Sequence, residues 1–239
     1  MAPTLFTNVN ILEGTGVLPY RGSVLVEGNR IRQVGRSTSA ITPAGATLID
    51  GAGATLMPGM VEAHTHFSWN DAATLSGIQT MPLEEHVLWC AKVAKRYLHA
   101  GFTSCLGAAC AKPRLDVVIR NAINNGQIPG PRYLAASQEI TVPGGLGDET
   151  LPHLPFPEFS FGVNVNGAED MRKSVRMFLK YGVDSIKINL SGDNFVPGAD
   201  SHTAWMTDAE VAAAVEEVKM RGKRIIVHAR SKASIQQAL

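Results

Sequence analysis

Two histidines one residue apart, His64 and His66, close the apolar run MPGMVEAHTHFSW. Residues two apart on a strand face the same side, so the pair presents two imidazoles together. Such a pair is either a metal anchor or two histidines satisfied by hydrogen bonds on one strand. In SIKINL, Ile186, Ile188 and Leu190 alternate with Ser185, Lys187 and Asn189, which puts the Lys187 amine on the polar side of an otherwise apolar strand. An unpaired buried ammonium is costly, and a buried lysine tends to give up its charge. A neutral amine is a nucleophile that can form a Schiff base, or take up carbon dioxide to become a carbamate, an anionic two-oxygen ligand able to bridge two metal ions. His228 ends a further apolar run, RIIVHA. Ligand-type residues clustered at strand ends are what a metal site requires.

These residues need a scaffold that gathers strand ends. From Met57 onward the chain alternates strand and helix patterns. The strand candidates are the run ending in VEAHTHF, FTSCLGAA (102–109), RYLAAS (132–137), SIKINL (185–190) and RIIVHA (224–229). Helical patterns cover 82–99, 113–125, 167–181 and 207–221. Thr207-Asp208-Ala209-Glu210 has the form of a capping box, and Gly222 falls where a C′ glycine belongs. Asn166 followed by Glu169, with Gly182 after Tyr181, repeats that punctuation one helix earlier. Alternating strands and helices imply a parallel sheet, and βα enzymes build their sites at the C-terminal ends of such strands. Residues 1–56 read instead as short strands joined by glycine turns, with Glu27-Gly28-Asn29 as a hairpin signal. The expected organisation is a small β-layer over 1–56 and a βα region over 57–239. A closed eight-stranded βα barrel typically needs about 250 residues, so on the residues alone an open five-stranded sheet stays an alternative.

Composition narrows the partners. The 239 residues carry 22 Lys and Arg against 21 Asp and Glu, a formal net charge of +1, with no block of like charge. Neither a nucleic acid nor a membrane is expected as a partner. Cys90, Cys105 and Cys110 fit no disulfide framework and no Cys-x-x-Cys zinc site, which favours a reducing, cytoplasmic location. No basic region leads into an apolar stretch at the start and no window reaches about 18 apolar residues, so neither secretion nor membrane insertion is expected.

LMPGMVEAHTHF, the GFTS strand, DSIKINLSGD and GKRIIVHA, together with the N-terminal β-layer, resemble the amidohydrolase superfamily over essentially the whole chain. The similarity is to its dinuclear-metal branch, near imidazolonepropionase-like, Xaa-Pro-dipeptidase-like and ochratoxinase-like hydrolases. The resemblance implies an α/β fold: the first five βα units of a (β/α)8 TIM-type barrel, with part of a small β-sandwich. It implies two divalent metal ions, zinc being the expected metal, with His64 and His66 on one, a carbon dioxide-derived carbamate on Lys187 bridging both, and His228 on the other. The implied activity is hydrolysis of amide or peptide-type C–N bonds by a hydroxide shared between the ions. Apolar or aromatic N-acyl amino acids, dipeptides with a C-terminal proline and aryl amides are the expected small-molecule substrates. Hydrolysis of a lactone, urea or organophosphate on the same centre is an alternative, because a fold and a metal centre do not fix the bond cleaved. A non-catalytic truncated homologue and a Schiff-base enzyme using Lys187 are the competing classes.

Family members take a further histidine from a sixth strand and an aspartate from an eighth, and complete the β-layer with later residues. None of these lies within the 239 residues. The missing half of the barrel is therefore expected from the same gene or from a second chain, the chain alone is expected to be inactive, and a homo-oligomer is expected. Relatives also place a histidine in the glycine cluster where this chain has Leu146. His153 is the candidate substitute and Trp69 the candidate substrate contact. Phe67, Leu154, Phe156, Phe159 and Phe161 either line an apolar pocket or pack the long loop.

Overall fold

The computed structural model describes residues 2–36, 45–154, 156–193, 196 and 198–239. It divides into two compact units, Met1–Gly59 and Met60–Leu239. Among the described residues the smaller unit holds five strands: β1 (Thr4–Ile11), β2 (Tyr20–Glu27), β3 (Arg30–Gly35), β4 (Thr47–Asp50) and β5 (Thr55–Leu56). They pair in the order β3-β2-β1-β4, with β5 also on β1. Glu27 pairs with Arg30, which leaves Gly28 and Asn29 as a two-residue hairpin turn with Gly28 at φ 60°. Positive φ is what that tight turn demands. Leu5 and Leu25 form one small apolar cluster, and Val9, Ile11 and Val24 another. Ile31, Val34, Leu48 and Ile49 stay exposed.

The larger unit begins with β6 (Met60–Thr65), α1 (Leu75–Gln79), α2 (Leu83–His99), β7 (Phe102–Gly107), α3 (Leu115–Asn124), β8 (Arg132–Leu134) and β9 (Ala136–Thr141). It continues through β10 (Val163–Asn164), α4 (Ala168–Tyr181), β11 (Ser185–Asn189), α5 (Asp208–Lys219), β12 (Arg224–His228) and α6 (Lys232–Ala238). Two all-parallel sheets result, β6-β7-β8 and β10-β9-β11-β12. The expected single third strand is thus two, parted at Ala135. Asp184 causes the break: its carboxylate accepts the Ala135 amide at 2.8 Å, and its own amide donates back to the Ala135 carbonyl at 2.8 Å. Arg120 of α3 holds that carboxylate at 2.7 Å. The strand therefore leaves β7 and joins β11 without orphaning a backbone group.

The cap signals of α4 and α5 in the sequence form with one exception. Thr207 and Glu210 form both halves of the capping box at the start of α5, and Gly182 closes α4 in the left-handed conformation. The box expected from Asn166 and Glu169 does not form: Gly167 is the N-cap, without a side-chain cap. Glu210 takes its place, accepting the Gly167 amide at 2.8 Å across to the neighbouring helix. A tertiary acceptor has displaced the local one.

Packing explains why the larger unit holds together. Met171, Val175 and Phe178 of α4 and Ala213, Ala214 and Val218 of α5 cover Ile186, Ile188 and Leu190 of the β11 region. Cys90, Ala94, Leu115 and Ile119 of α2 and α3 cover Cys105 and Tyr133. Gly107 is required here, since a Cβ would lie 2.4 Å from Asp116 Oδ2 and 2.6 Å from the Tyr133 hydroxyl. The opposite side of the first sheet is open: Val61, Ala63, Ser104, Leu106, Arg132 and Leu134 line a cavity of about 420 Å³, and Val61 is 69% exposed. Among the described residues β6 pairs only with β7, and β12 only with β11, so the strands do not close into a barrel. All three cysteines are buried free thiols, and no helix among the described residues is long and apolar enough to cross a membrane.

Candidate metal centre

β6 and β12 deliver their histidines at their C-terminal ends, and β11 delivers Lys187 from its middle. The register of β6 on β7 shifts between Glu62 and Thr65, and Thr65 buries its hydroxyl on the Leu106 carbonyl at 2.9 Å. His64 and His66, flanking Thr65, come to lie with ring centroids 5.1 Å apart. β11 pairs with β12 residue for residue, Lys187 with Ile226 and Asn189 with His228. His64, His66, Trp69, Lys187 and His228 then line one cavity of about 220 Å³, together with Leu75, Glu139, Leu146 and Asp193.

Each ring is held by the loops around it. His66 Nδ1 donates to the Ala109 carbonyl at 3.3 Å, which leaves Nε2 as its lone-pair nitrogen. Trp69 stacks on the His66 ring, centroids 4.2 Å apart. α2 pins the backbone between them, because His86 Nε2 donates to the Ser68 carbonyl and Trp89 Nε1 to the Trp69 carbonyl at 2.9 Å. His228 Nε2 meets the Gly192 carbonyl at 3.2 Å and Asp193 Oδ2 at 3.6 Å, and Asp193 is itself held by Arg230 at 2.7 Å. A fixed second nitrogen of this kind sets tautomer and ring direction in metal-ligating histidines.

Burial disfavours the charged forms of these donors. Burial lowers the pKa of Lys187, which is 2% exposed, and Glu139 only partly opposes that. Burial pushes His66 down to about 3, helped by the Lys187 charge and then by His64. The pKa values of His64 and His228 are lowered by the same two leading causes, burial and then Lys187. Lysine is thus the common neighbour of all three rings, and neutral imidazoles and a neutral amine are the forms in which these side chains bind metal or carbon dioxide. Among the described residues no three His, Cys, Asp or Glu side chains already form a coordination set by themselves. The donor chemistry nonetheless fits metal ions, and the buried Asn189 Oδ1 beside this group lacks a hydrogen-bond partner.

The loop after β9 contributes differently from expectation. Leu146 reaches the cavity wall, whereas His153 is exposed and does not line the cavity. Leu154, Phe156 and Phe159 border a separate apolar hollow of about 320 Å³, and Phe67 and Phe161 are fully buried in the core. Their apolar character serves packing and the outer surface more than the cavity. A second, wider cleft of about 480 Å³ opens on the other side of His64, His66 and Trp69, toward Asp71, Trp89, Arg96 and Tyr97.

Glu139 was not legible from the alternation of the sequence. Ser185 pairs with Ala136, yet Lys187 pairs with Glu139 because β9 carries one extra residue between them. Ser137 repairs this bulge, accepting the Lys187 amide at 2.9 Å and donating to the Gln138 carbonyl at 2.6 Å. Without the bulge Gln138 would stand beside Lys187; with it, Gln138 turns away to the carbonyls of Ala111 and Phe161, each at 3.1 Å.

Comparison with known proteins agrees with this geometry. Residues 55–239 match the amidohydrolase family. Ochratoxinase of Aspergillus niger is 27% identical over 209 residues, covering 77% of this chain and 41% of that protein. A crystal structure of a prolidase complexed with N-methylphosphonate-L-proline superposes with a TM-score of 0.87 at 26% identity, covering 99% of this chain and 58% of that one. A Xaa-Pro dipeptidase with bound methionine gives 0.85 at 25%, covering 99% and 59%. The chain thus spans less than two thirds of the length of these relatives. With the family matched over most of its residues and its neighbours' fold covering all but 1% of it, this chain belongs to the amidohydrolase family.

Proposed function

We propose that this protein is a metal-dependent hydrolase of amide or peptide-type C–N bonds. The observation that carries the reading is the convergence of His64, His66, Lys187 and His228, from three separate strands, on one cavity of about 220 Å³ in an amidohydrolase-family chain. His64 and His66 would hold one divalent ion, His228 a second, and Lys187, carboxylated by carbon dioxide, would bridge them. Two such ions, with zinc suited to imidazole and carboxylate donors, would activate water and polarise the scissile carbonyl.

The chain's own residues do the rest. The Ala109 carbonyl and the Gly192 carbonyl fix the ring nitrogens of His66 and His228. Trp69 covers His66 and, with Leu75 and Leu146, gives the cavity an apolar wall. That wall supports a substrate with an apolar or aromatic group beside the scissile bond, such as an N-acyl amino acid, a Xaa-Pro dipeptide or an aryl amide. The names of the similar proteins, a prolidase, a Xaa-Pro dipeptidase and an ochratoxinase, favour the same range.

The reading includes completion by further polypeptide. The parallel strands of the larger unit would be the first five βα units of an eight-stranded barrel, and the remaining donors would come from later strands of the same gene product or of a second chain. The open sides of β6 and β12 and the cavity lined by Val61, Leu106 and Leu134 support this. The buried free thiols suit a cytoplasmic location. Metal analysis of the full-length protein tests the proposal: about two divalent ions per barrel are expected, with His66→Ala losing at least one and with hydrolysis of the three substrate types abolished by a chelator. Stoichiometric absence of metal would favour a non-catalytic homologue instead.

A further inference from the structure

We propose that Glu139 is the positioning residue for Lys187, accepting the N–H that remains on Nζ once the lysine is carboxylated. The inference rests on the carboxylation of Lys187 proposed above and goes beyond it, by naming what orients the group.

Glu139 is 5% exposed, sits directly across from Lys187 in the β9–β11 register, and lines the same cavity. Three elements fix it. β9 inserts one extra residue, and that bulge alone brings Glu139, rather than Gln138, to Lys187. β11 supplies Asn189, whose Nδ2 donates to Glu139 Oε2 at 2.8 Å and to the Leu146 carbonyl at 2.9 Å. The glycine-rich loop closes down through Gly147, at φ 90°, where a Cβ would lie 2.7 Å from Glu139 Oε2. Bulges beside functional sites commonly re-aim a side chain.

A carboxylate so firmly held is not simply a counter-ion. No Lys187–Glu139 ion pair within 4 Å forms among the described residues, although the two interact electrostatically. Asn189 occupies Oε2, and Oε1 makes no hydrogen bond among the described residues. In carboxylation the Nζ lone pair forms a bond to the carbon of carbon dioxide, one C=O π pair moves onto oxygen, and one proton leaves Nζ for solvent. The product, Nζ(H)–CO₂⁻, keeps a single N–H in a buried place, where an unmet donor is expensive. Glu139 Oε1, on the residue directly across from Lys187, is the acceptor that the β9–β11 register offers it. With that N–H tied back to β9, the plane of the carbamate would be held fixed within the cavity that the histidines line.

The experiment is a titration of the full-length, zinc-loaded protein with ¹³C-bicarbonate, following the carbamate carbon by ¹³C NMR. Wild type is expected to show the resonance; its absence overturns the carboxylation of Lys187 and this inference with it. In Glu139→Gln, either the amide nitrogen faces Nζ–H or it faces Asn189 Nδ2, so one donor always meets another. Half-saturation is expected to need about tenfold more bicarbonate, the size of a lost hydrogen bond to a charged group. A wild-type titration in Glu139→Gln overturns the positioning role while leaving Lys187 carboxylation intact. Should Glu139→Gln fail to fold by circular dichroism, Glu139→Asp decides: it keeps the charge but withdraws it by one methylene, and an unchanged titration overturns the proposal whereas a weakened one supports it.

Discussion

Lys187 shows how one side chain can set the state of a whole site. Its charge adds to burial in depressing His64, His66 and His228, so any process that removes the charge makes all three easier to protonate and easier to use as ligands. A second buried group behaves in the opposite sense. Asp116 is 1% exposed and accepts the Tyr133 hydroxyl at 2.6 Å and the Ala136 amide at 3.2 Å, but its Oδ1 has no partner. Burial raises its pKa from 3.8 to about 6. The folded chain therefore holds that proton more tightly than the unfolded one, and the associated stability, fully present below about pH 4, is lost as the pH rises through 6. Asp116→Asn removes this slope. Chemical denaturation at several pH values should find the variant gaining on wild type by up to about 3 kcal/mol between pH 4 and pH 7. A difference that does not change with pH would mean that the carboxyl stays in one form throughout. At this scale His64, His66, Lys187 and His228 could be picked out because polar residues inside apolar runs need a reason. Glu139 could not, since its partner is chosen by a bulge that the run of residues does not announce.

Elements were legible where their signals are local. The α5 capping box lies within four consecutive residues, and the Gly28-Asn29 hairpin turn needs only its neighbours. The break at Ala135 was not legible, because it is made by Asp184 and Arg120, brought from elsewhere in the chain. The start of α4 lies in the same category, because its first amide is satisfied by Glu210 of α5. Glu210 is consequently a cap for two helices: Oε2 accepts from the Thr207 amide at 2.8 Å and Oε1 from the Gly167 amide at 2.8 Å. Glu210→Ala should cost about 2 kcal/mol, roughly twice a single cap, in urea unfolding. Thr207→Ala, which leaves the link to Gly167, should cost about 1 kcal/mol.

At the scale of the whole molecule, the question is what the sheets lack. An unclosed parallel sheet leaves unpaired edges and an apolar inner surface, which invite association. Residues 1–239 expressed alone should show no metal-dependent hydrolysis and should self-associate in sedimentation, with Val61→Lys reducing the association. A polypeptide extended to the full length of the relatives should regain activity. Activity in the short chain would contradict the completion proposed above. The α/β class followed from the strand and helix alternation, whereas the described residues do not close a barrel.

The parting of the third strand at Ala135 has a mechanical meaning. His64 stands on the sheet β6-β7-β8 and His66 just past its edge strand's end, while Lys187 and His228 stand on β10-β9-β11-β12, and Ala135 is where the chain passes from one sheet to the other. Anything that holds the histidine pair to the lysine strand is therefore a cross-link between two sheets. Binding only the docked state, it would raise the free energy of opening the gap between them and make their unfolding a single event. The ligand set would then act as a rivet in the scaffold, with chemistry and tertiary integrity failing together when it is pulled.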